Sequence, residues 1–565
     1  MEFRKLSEFL KKLDLTASRN EMTIILSELF KECGSEISQV CYLLQGGIAP
    51  SYKQVVFNLA EKHMISVIAK ASGKENHEIV TIYKKYGDLG DTAFDVLRGK
   101  TSKISVSQVF GKLSEIAKAG GEGSVERKIT LTSDLVKDLD SQSAKYVVRI
   151  LLGKLRLGFS DLTMIDALSW MEKGDKSLKA QIEKAYRVMP DIGLLAKAIK
   201  EKGVEKATKN VAPIIGIPVS PMLAQRLKSP SEMIKKMGKV AVEPKFDGVR
   251  VLIHMNGNNV FAYTRNLNDV SYMFPELLEI KRHIKAKSVI LDSEAIGMDE
   301  KQKQFLDFQT TMQRRRKHDI ENIKSKIPLR FQVFDILYKD GESLMDKNYI
   351  ERRKILSDTV INGNLLKVDE HIITEDPSVI EREYEEKLKS GLEGIIVKKA
   401  ESAYVPGRTG FRWVKMKEAE TKTGKLTDTV DAIVMGYTQG RGKRSQFGVG
   451  QFLVGVRDGE TVKTITKVGT GLTDEQFREL NLRLKKIFVK EKPKEYEVHK
   501  DLEPDFWVTS SLIVELAADD ITKSTKHTAE YALRFPRLVN FRDDKSFKEA
   551  TTLKELKDLF ELQKR

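Results

Sequence analysis

The chain is 565 residues long, which is too long for one ordinary domain core and favours about three to four domains. Hydrophobic residues make up 41% of the chain and charged residues 32%, a balance that is typical of packed globular proteins and excludes extensive disorder. Lysine and arginine outnumber aspartate and glutamate by 97 to 81. The resulting formal net charge of +16 favours a polyanionic partner, above all nucleic acid.

The two cysteines, Cys33 and Cys41, are too few for a disulfide framework or for a structural four-cysteine zinc site. The first residues are charged and have helical periodicity, without an apolar stretch of signal-peptide length. No run elsewhere approaches the length of a membrane span. We therefore expect a reduced, cytoplasmic protein that has no membrane partner.

The first part of the chain, up to about Lys209, has the periodicity of amphipathic helices. Apolar side chains fall on one helix face at Leu6, Phe9, Leu10 and Leu13, and the same spacing recurs at Val147, Ile150, Leu151 and Leu155. Glycines predict the breaks between helices, at Gly87, Gly90, Gly120, Gly121 and Gly123. Prolines at positions 213, 218 and 221 predict the end of this region, so we expect an all-α domain over residues 1–212.

Short β-rich runs separated by helices follow the prolines, including VRVLIHM, NVFAYT, SVILDSEAIGM, LRFQVFDILY and LEGIIVKK. They predict an α+β domain over residues 213–420. Residues 421–565 are a succession of strands and turns, in which Asp458-Gly459 is a strong hairpin signal. This spacing favours a small β-barrel, and the period of LKELKDLFELQK predicts a C-terminal helix.

The sharpest chemical signal is Lys245, in the segment VEPKFDGVR. A lysine amine is a nucleophile once it has lost its proton, and neighbouring cations or a metal ion favour that loss. Asp247 follows closely, Gly248 lets the backbone approach a phosphate or a base, and Arg250 offers a charged fork for phosphate. A bare K-x-D-G is also compatible with a surface turn, so the neighbouring motifs have to distinguish an active site from a turn.

Two later runs carry residues that suit a nucleotide site. Arg265 lies at the end of the predicted strand NVFAYT. Asp292 and Glu294 alternate along one strand and therefore share a face, where they can bind a sugar hydroxyl or a divalent cation, or form a solvated edge. In FQVFDILY, Phe334 can pack in the core or stack on a purine.

Charged residues also end the later strands of the α+β region. LEGIIVKK supplies Glu393 and Lys398, and RTGFRWVKMK supplies Lys415 and Lys417 on one face of a predicted strand, suited to phosphate. Charged residues that merely end strands would explain any one of these positions, but this interpretation explains all of them together poorly. In the helical part, basic residues can follow a sugar-phosphate backbone or lie on solvated faces, namely Lys128, Lys145, Arg149, Lys154 and Arg156.

Six segments in chain order resemble the motifs of the nucleotidyltransferase superfamily that contains DNA ligases, RNA ligases and capping enzymes: EPKFDGVR, YTRN, LDSEAIG, FQVFDILY, LEGIIVK and WVKMK. Further segments look like the ATP-dependent DNA ligases of archaea and eukaryotes: PMLA, GEGSVERK, LLGKLRLGFSDLTMIDAL and LRFPRLVNFRDDK. The resemblance covers nearly the whole chain. It implies a helical DNA-binding domain, a nucleotidyltransferase (adenylation) domain and an OB-fold domain, in that order.

The resemblance implies sealing of 5′-phosphate/3′-hydroxyl nicks in duplex DNA through a lysyl-adenylate and a DNA-adenylate, in replication, repair, recombination and cell division. ATP is the implied cosubstrate and Mg²⁺ the implied metal ion. Lys245 is the implied nucleophile, with Asp247 beside it in the catalytic motif. The implied nucleotide-binding residues are Glu243, which would accept from adenine, Phe334, which would stack on it, Arg250 and Arg265 at phosphates, Lys398 and Lys415 at the α-phosphate, and Lys417. Glu294 and Glu393 would serve ribose or Mg²⁺, and the terminal motif supplies Arg534, Arg537, Asp543 and Lys545 for the first step.

Two features depart from the family pattern. Members often carry an arginine six residues before the first lysine of WVKMK, where this chain has Thr409, and Arg408 and Arg412 are both candidates to contact the nucleotide instead. Many relatives bind a sliding clamp through a motif that combines a glutamine with aromatic residues. TSKISVSQVFGKL lacks this motif, so clamp binding is left open and has no support from the sequence. The resemblance implies a monomer.

Three alternatives share part of this pattern. An RNA ligase or mRNA guanylyltransferase has K-x-D-G and the lysine pair, but leaves the helical third unexplained. An NAD-dependent bacterial ligase resembles a different domain order with a four-cysteine zinc module, which two cysteines cannot build. A non-enzymatic single-strand-binding protein would use aromatic platforms in the barrel, for which Tyr437, Phe447 and Phe452 are among the few candidates.

Overall fold

The computed structural model describes residues 1–16, 18–155, 157–227, 229–299, 304–306, 308–312, 314, 326–407, 410–417, 429–440 and 447–563. Two compact units divide the chain, Met1–Lys415 and Met416–Arg565. Across these described ranges, no helix is both long and apolar enough to cross a membrane.

The first part of the first unit is helical, as predicted. It consists of α1 (Phe3–Leu15), α2 (Arg19–Glu32), α3 (Ile37–Leu44), α4 (Glu61–Ser72), α5 (Asn76–Tyr86), α6 (Leu89–Val96), α7 (Val106–Lys118), α8 (Ser124–Asp138), α9 (Ser141–Leu151), α10 (Asp161–Lys173), α11 (Lys179–Val188) and α12 (Ile192–Thr208). Short 3₁₀ turns lie at Gly34–Glu36 and Ser51–Lys53. The last helix ends before the proline-containing segment, where the sequence predicted the end.

Local sequence signals set several helix ends. Ser18 caps α2 by accepting a hydrogen bond from the Glu21 amide, which satisfies one of the free N–H groups of the first turn. Gly87 ends α5 in the left-handed conformation, with φ +68°. Gly90, predicted as a break, instead lies inside α6, where a Cβ atom would come within 2.8 Å of the Lys145 carbonyl oxygen. This glycine allows α6 to pack closely on α9.

The helices pack through the predicted apolar faces. Leu6, Phe9, Leu10 and Leu13 of α1 are all buried, as are Val147, Ile150 and Leu151 of α9, whereas Leu155 lies beyond the end of α9 and is partly buried. The burial of one stripe per helix is the main source of stability for such a region, because helix propensity alone contributes little.

Some of the basic residues that were considered for DNA contact form hydrogen bonds or ion pairs with other residues of the helical region. Lys128 is 7% exposed and donates a hydrogen bond to the Phe57 carbonyl oxygen at 2.8 Å. Arg149 forms ion pairs with three carboxylates on two other segments, those of Asp14, Asp88 and Asp91. Lys145 pairs with Asp91 and Lys154 with Glu61, while Arg156 lies outside the described residues. Lys128 and Arg149 therefore stabilise the fold.

The middle of the chain forms two β-sheets with flanking helices, which confirms the predicted α+β character. The strands are β1 (Gln225–Arg226), β2 (Val240–Lys245), β3 (Val249–Asn256), β4 (Asn259–Thr264), β5 (Ser288–Gly297), β6 (Leu329–Lys339), β7 (Glu342–Ser343), β8 (Leu366–Val368), β9 (Ile372–Thr374), β10 (Gly394–Lys399) and β11 (Trp413–Lys417). The helices are α13 (Pro230–Met237), α14 (Phe308–Met312), α15 (Tyr349–Thr359) and α16 (Pro377–Lys389), with 3₁₀ segments at Ser271–Met273 and Pro275–His283.

The strand orders place most of the predicted motifs on inner strands of the two sheets, whereas YTRN follows the edge strand β4. One sheet has the order β1-β11-β10-β2-β9, and the other has the order β4-β3-β5-β6-β7 with β8 beside β6. In the first sheet, β10 runs antiparallel to β2. In the second, β5 lies between β3 and β6 and is antiparallel to both.

The second unit is rich in β-structure. Its strands are β12 (Val430–Gln439), β13 (Val449–Asp458), β14 (Thr461–Val468), β15 (Phe488–Val489), β16 (Tyr496–Glu497), β17 (Phe506–Val508), β18 (Ile513–Ala517), β19 (Asp520–Lys523), β20 (Tyr531–Arg534) and β21 (Arg537–Phe541). Its helices are α17 (Asp474–Lys486) and α18 (Leu553–Leu562), with 3₁₀ turns at Lys500–Leu502 and Phe547–Glu549. The hairpin predicted at Asp458-Gly459 joins β13 to β14, and the predicted terminal helix is α18.

An eight-stranded sheet forms the core of the second unit. Its main path is β15-β17-β12-β13-β14-β16, and β18 pairs with both β12 and β21, while β19 and β20 form a separate ribbon. Tyr437, Phe447 and Phe452 are at most 8% exposed. These three aromatic residues pack in the core and offer no platform for stacking bases.

Candidate active site

A cavity of about 670 Å³ in the middle region is lined by strands of both sheets. Its wall contains most of the residues predicted to bind the nucleotide: Glu243, Lys245, Asp247, Arg250, Arg265, Glu294, Phe334, Glu393, Lys398 and Lys415. The fold thus brings together six motifs that are far apart in the sequence.

Lys245 is the last residue of β2 and lies in the cavity beside Glu393. The strand pairing places Gly394 opposite Lys245, and the Glu393 amide donates a hydrogen bond to the Lys245 carbonyl oxygen at 3.0 Å. The ammonium and carboxylate groups of the two side chains form an ion pair. Their side chains are 19% and 27% exposed, so a ligand in the cavity can reach the lysine.

Gly248 allows a close approach between backbones at the start of β3. A Cβ atom at this position would lie 2.5 Å from the Ala295 carbonyl oxygen and 2.9 Å from Cγ of Glu294. The close approach predicted from the sequence is therefore made to β5. It lets the Lys245 segment lie directly against the strand that carries Glu294.

Glu243 and Lys398 form a buried ion pair at the back of the cavity. Lys398 Nζ lies 2.5 Å from Glu243 Oε2, and the two side chains are 1% and 2% exposed. Tyr349 donates a hydrogen bond to the same carboxylate, and Arg353 lies 3.8 Å from its other oxygen. Because this charge is paired and hydrogen-bonded, its burial between the sheets is tolerated.

Two aromatic rings meet the Lys398 ammonium in the cavity wall. Phe334 and Trp413 form an edge-to-face pair with centroids 6.0 Å apart. Lys398 Nζ lies 4.7 Å from the Phe334 centroid and 4.3 Å from the Trp413 centroid. Trp413 is 4% exposed, and its Nε1 has no hydrogen-bond partner among the described residues. Aromatic walls of this kind suit a planar base.

Arg250 is held in the cavity wall by a bidentate contact. Its Nε donates to Asp292 Oδ1 at 2.9 Å and its Nη2 to Asp292 Oδ2 at 2.6 Å. Tyr404 donates to the same carboxylate at 2.9 Å. Asp292 is almost fully buried and orients the guanidinium, while Glu294 lines the cavity. The two carboxylates of this strand therefore have different surroundings.

Burial between the sheets raises the pKa of Glu294 to about 7, although Lys245 and Arg250 oppose the shift. Glu294 and Glu393 both line the cavity next to Lys245. No cluster of three or more metal-ligating side chains occurs in the described part of the chain. Two carboxylates fit Mg²⁺, which is bound in nucleotide enzymes by one or two carboxylates and by phosphate oxygens.

The remaining predicted basic residues occupy different places. Arg265 is exposed on a tight turn after β4, which is closed by a hydrogen bond from the Leu267 amide to the Thr264 carbonyl oxygen at 2.8 Å. Lys415 enters the cavity from β11, and Lys417 lies two residues further along the same strand, beyond the cavity wall. Arg412 lines a separate recess of about 360 Å³ with Lys236, Lys399 and Phe411. Arg408 lies outside the described residues.

The terminal-motif residues belong to the second unit. Arg534 ends β20, and Arg537 begins β21 and pairs with Asp519 at 2.8 Å. Asp543 forms an ion pair with Arg483, and Lys545 pairs with Asp431 at 2.6 Å.

Sequence reasoning missed several residues of the cavity wall. Trp413 had a usable signal, because it lies two residues before Lys415 and therefore on the same face of β11. Asp369 and Arg314 also line the cavity, and both are buried. They had no such signal, because neither belongs to a periodic segment.

An accessible strand-end lysine between carboxylates, in a cavity with an aromatic wall and basic residues, defines a nucleotidyltransferase domain. Family models match all three regions: DNA ligase N terminus at residues 2–169, ATP dependent DNA ligase domain at 221–417, and ATP dependent DNA ligase C terminal region at 445–545. The chain belongs to the ATP-dependent DNA ligases, the enzymes that seal nicks in DNA.

Known proteins resemble the chain over its full length. A probable DNA ligase of Dictyoglomus turgidum is 40% identical, covering 100% of this chain and 98% of the relative. DNA ligase 1 of Methanosarcina mazei is 36% identical over 99% of each chain. A solved structure described as Pmar-Lig_Pre has a TM-score of 0.55 at 18% identity, covering 95% of this chain and 99% of the other, so the fold is shared. The predicted resemblance to archaeal ligases is confirmed.

Proposed function

We propose that Lys245 is the nucleophile of this ligase and carries AMP as a lysyl-adenylate between ATP and a nick in duplex DNA. The observation that supports this is the position of Lys245. It is the accessible lysine at the end of β2, ion-paired with Glu393 in a cavity that can hold a nucleotide. Lys398, by contrast, is almost fully buried against Glu243.

In the first step, Lys245 Nζ attacks the α-phosphorus of ATP. The ammonium must first lose its proton to solvent, which neighbouring cations favour, while Glu393 holds the Lys245 side chain in the cavity through their ion pair. A P–N bond forms, the bond from the α-phosphorus to the bridging oxygen breaks, and pyrophosphate leaves with the electron pair. Arg250 and Lys415 line the same cavity and stabilise the charge on the phosphate oxygens.

The two later steps consume the adenylate. An oxygen of the 5′-phosphate at the nick attacks the phosphorus of the lysyl-adenylate, the P–N bond breaks, and Lys245 recovers its proton. The 3′-hydroxyl oxygen then attacks the 5′-phosphorus, loses its proton and displaces AMP. Each step is an in-line displacement at phosphorus, for which positioning and charge stabilisation supply most of the catalysis.

We assign the other predicted residues by their place in the cavity wall. Glu243 and Phe334 would form the end that receives adenine. Lys398 was expected at the α-phosphate, but its burial against Glu243 and the aromatic rings favours a role at the adenine end instead. Asp247 and Arg265 of the cavity wall would face the phosphates. Three further candidates for phosphate contact rest on the sequence alone: Lys417, which lies beyond the wall, Arg412 in the separate recess, and Arg408 outside the described residues.

Glu294 and Glu393 are the residues that would hold Mg²⁺. The metal ion would neutralise charge on the transferring phosphate and on the leaving pyrophosphate. Glu294 also contributes a carboxyl group that changes protonation near neutral pH, because its pKa is raised by burial.

We propose three functional domains over residues 1–212, 213–420 and 421–565. The helical region would bind the DNA backbone, and the second unit would form an OB-fold. Support for the OB-fold comes from the eight-stranded sheet, in which β18 joins β12 to β21. Arg534, Arg537, Asp543 and Lys545 of the second unit would act in the first step on pyrophosphate.

Intact-protein mass spectrometry tests the proposal directly. After incubation with ATP and Mg²⁺, we expect the wild-type chain to gain the mass of one AMP moiety and to lose it when nicked duplex DNA is added. Lys245→Ala should show no gain. Lys239→Ala is a matched control, because Lys239 is exposed just before the same strand. An adduct on Lys245→Ala, or equal loss in both variants, would rule out Lys245 as the nucleophile.

A further inference from the structure

We propose that Asp369 selects the base of the nucleotide, with its carboxyl group accepting a hydrogen bond from the 6-amino group of adenine. This rests on the adenylation of Lys245 proposed above and adds a residue that determines which base is used.

The position of Asp369 is fixed by its neighbours. The residue follows β8, and its amide donates a hydrogen bond to the Val333 carbonyl oxygen at 3.0 Å. Val333 directly precedes Phe334 in β6, so the Asp369 backbone lies beside the strand that carries the aromatic wall. The Asp369 side chain lines the cavity and is 6% exposed.

The carboxyl group of Asp369 has unused capacity for hydrogen bonding. Its Oδ1 is buried without a hydrogen-bond partner in the described ranges of the chain. Most buried polar atoms in folded proteins have a partner, and leaving one unpaired destabilises the fold. An unpaired carboxyl oxygen in the wall of a ligand cavity therefore indicates that its partner arrives with the ligand.

An acceptor oxygen needs a hydrogen-bond donor, and ATP offers two kinds, the 6-amino group of its base and the hydroxyl groups of its ribose. The charges of Glu243, Arg353 and Lys398 act on the Asp369 carboxyl group, and Lys398 lies over the Phe334 and Trp413 rings. Together with the backbone contact to Val333, this puts Asp369 at the aromatic end of the cavity. Adenine presents its 6-amino group as a donor. The 6-amino group has two hydrogens, so the Asp369 oxygen can accept one of them beside Glu243, which also pairs with Lys398 and accepts from Tyr349.

The charge state of Asp369 is compatible with this contact. Burial, together with the negative charge of Glu243, raises the pKa of Asp369 well above its usual value, and Arg353 opposes the shift. A raised pKa shifts the balance towards the protonated carboxyl group. Protonated or ionised, the group keeps an oxygen that accepts from an amine.

The test compares ATP with purine riboside 5′-triphosphate, which lacks the 6-amino group. In the full chain, we would measure the initial rate of Lys245 adduct formation at subsaturating nucleotide. We expect the wild type to prefer ATP by about tenfold, the effect of one buried hydrogen bond. Asp369→Ala should slow adduct formation with ATP and leave the rate with purine riboside 5′-triphosphate unchanged. The preference for ATP should therefore fall below about threefold. Asp369→Asn keeps an acceptor oxygen and should keep the preference.

Further variants separate recognition from folding. Asp369→Leu removes the acceptor but fills the space, and it replaces the alanine variant if that variant does not fold. Asp358→Asn, an exposed aspartate of α15, is the matched control and should behave as wild type. Removing an unpaired buried carboxyl group should leave the unfolding temperature of the free enzyme unchanged or raised.

Two results would overturn the assignment. Equal loss with both nucleotides in Asp369→Ala or Asp369→Leu would make Asp369 a structural residue, and an unchanged ATP preference would show that another group reads the amine. Absence of any adduct on the wild-type chain would instead refute the proposed nucleophile, so the two failures are distinguishable.

Discussion

Lys398→Met tests how much the buried pair with Glu243 contributes to the stability of the nucleotidyltransferase region. Methionine retains the length of the side chain and removes the charge, which leaves Glu243 at 2% exposure without its closest cation. Breaking a buried pair on one side typically costs about 3–5 kcal/mol. Tyr349 and Arg353 still contact the carboxylate, so we expect a value near the lower limit, about 3 kcal/mol.

For a region of 150–250 residues, that loss corresponds to a decrease of about 6–12 °C in unfolding temperature. Differential scanning calorimetry of the full chain would measure it. Lys399→Met is the matched control, because Lys399 is the next residue of β10, is partly exposed and lines the separate recess. Its unfolding free energy should change by less than about 0.5 kcal/mol.

The double variant Glu243→Gln with Lys398→Met completes the cycle. It removes both charges, so we expect it to be more stable than Lys398→Met by at least about 1 kcal/mol. Strictly additive losses in the cycle would refute the reasoning, as would a Lys398→Met unfolding temperature equal to that of Lys399→Met. Either result would mean that the two groups do not stabilise each other in the folded protein.

Gly248→Ala should destabilise the fold by about 1–3 kcal/mol and slow adduct formation, because the new Cβ would lie 2.5 Å from the Ala295 carbonyl oxygen; calorimetry and mass spectrometry measure both effects. Glu294→Gln should become more stable relative to wild type as pH rises from about 4.5 to 7, by up to about 3 kcal/mol, because a carboxyl group with a raised pKa stabilises the fold only while it is protonated. Urea unfolding across this pH range would contradict the argument if the difference stayed flat. Arg250→Lys should cost about 2–3 kcal/mol in thermal unfolding, since lysine cannot replace the bidentate contact to buried Asp292, and an unchanged midpoint would count against that role.

Most of the secondary structure was predictable from sequence periodicity. The apolar stripe of α1 and the hairpin at Asp458-Gly459 follow from local patterns, and the structure confirms both. Gly90 shows where local patterns fail. A glycine can end a helix or permit close packing within one, and only the contact between α6 and α9 distinguishes these cases.

The site residues that end a strand, and those that alternate along one face of a strand, could be predicted from the sequence. Lys245 and Glu393 come from motifs about 150 residues apart and meet because β2 and β10 are neighbours, a pairing that the sequence alone does not reveal. Asp369 follows the three-residue strand β8, which is too short for a periodic signal. The placement of Arg412 in a separate recess likewise depends on the path of the chain before β11.

The antiparallel register of β2 and β10 constrains how the length of this gene segment can change during evolution. The same register places Glu393 next to Lys245 and brings Lys398 across to Glu243. A one-residue insertion or deletion between Gly394 and Lys398 would change the face of one residue relative to the other, so that the two ion pairs could no longer form together. A two-residue change would preserve the faces but displace the partners by about 6–7 Å. Length variation can therefore accumulate in the connection before residue 390, whereas residues 393–398 have to be inherited as a block of fixed length.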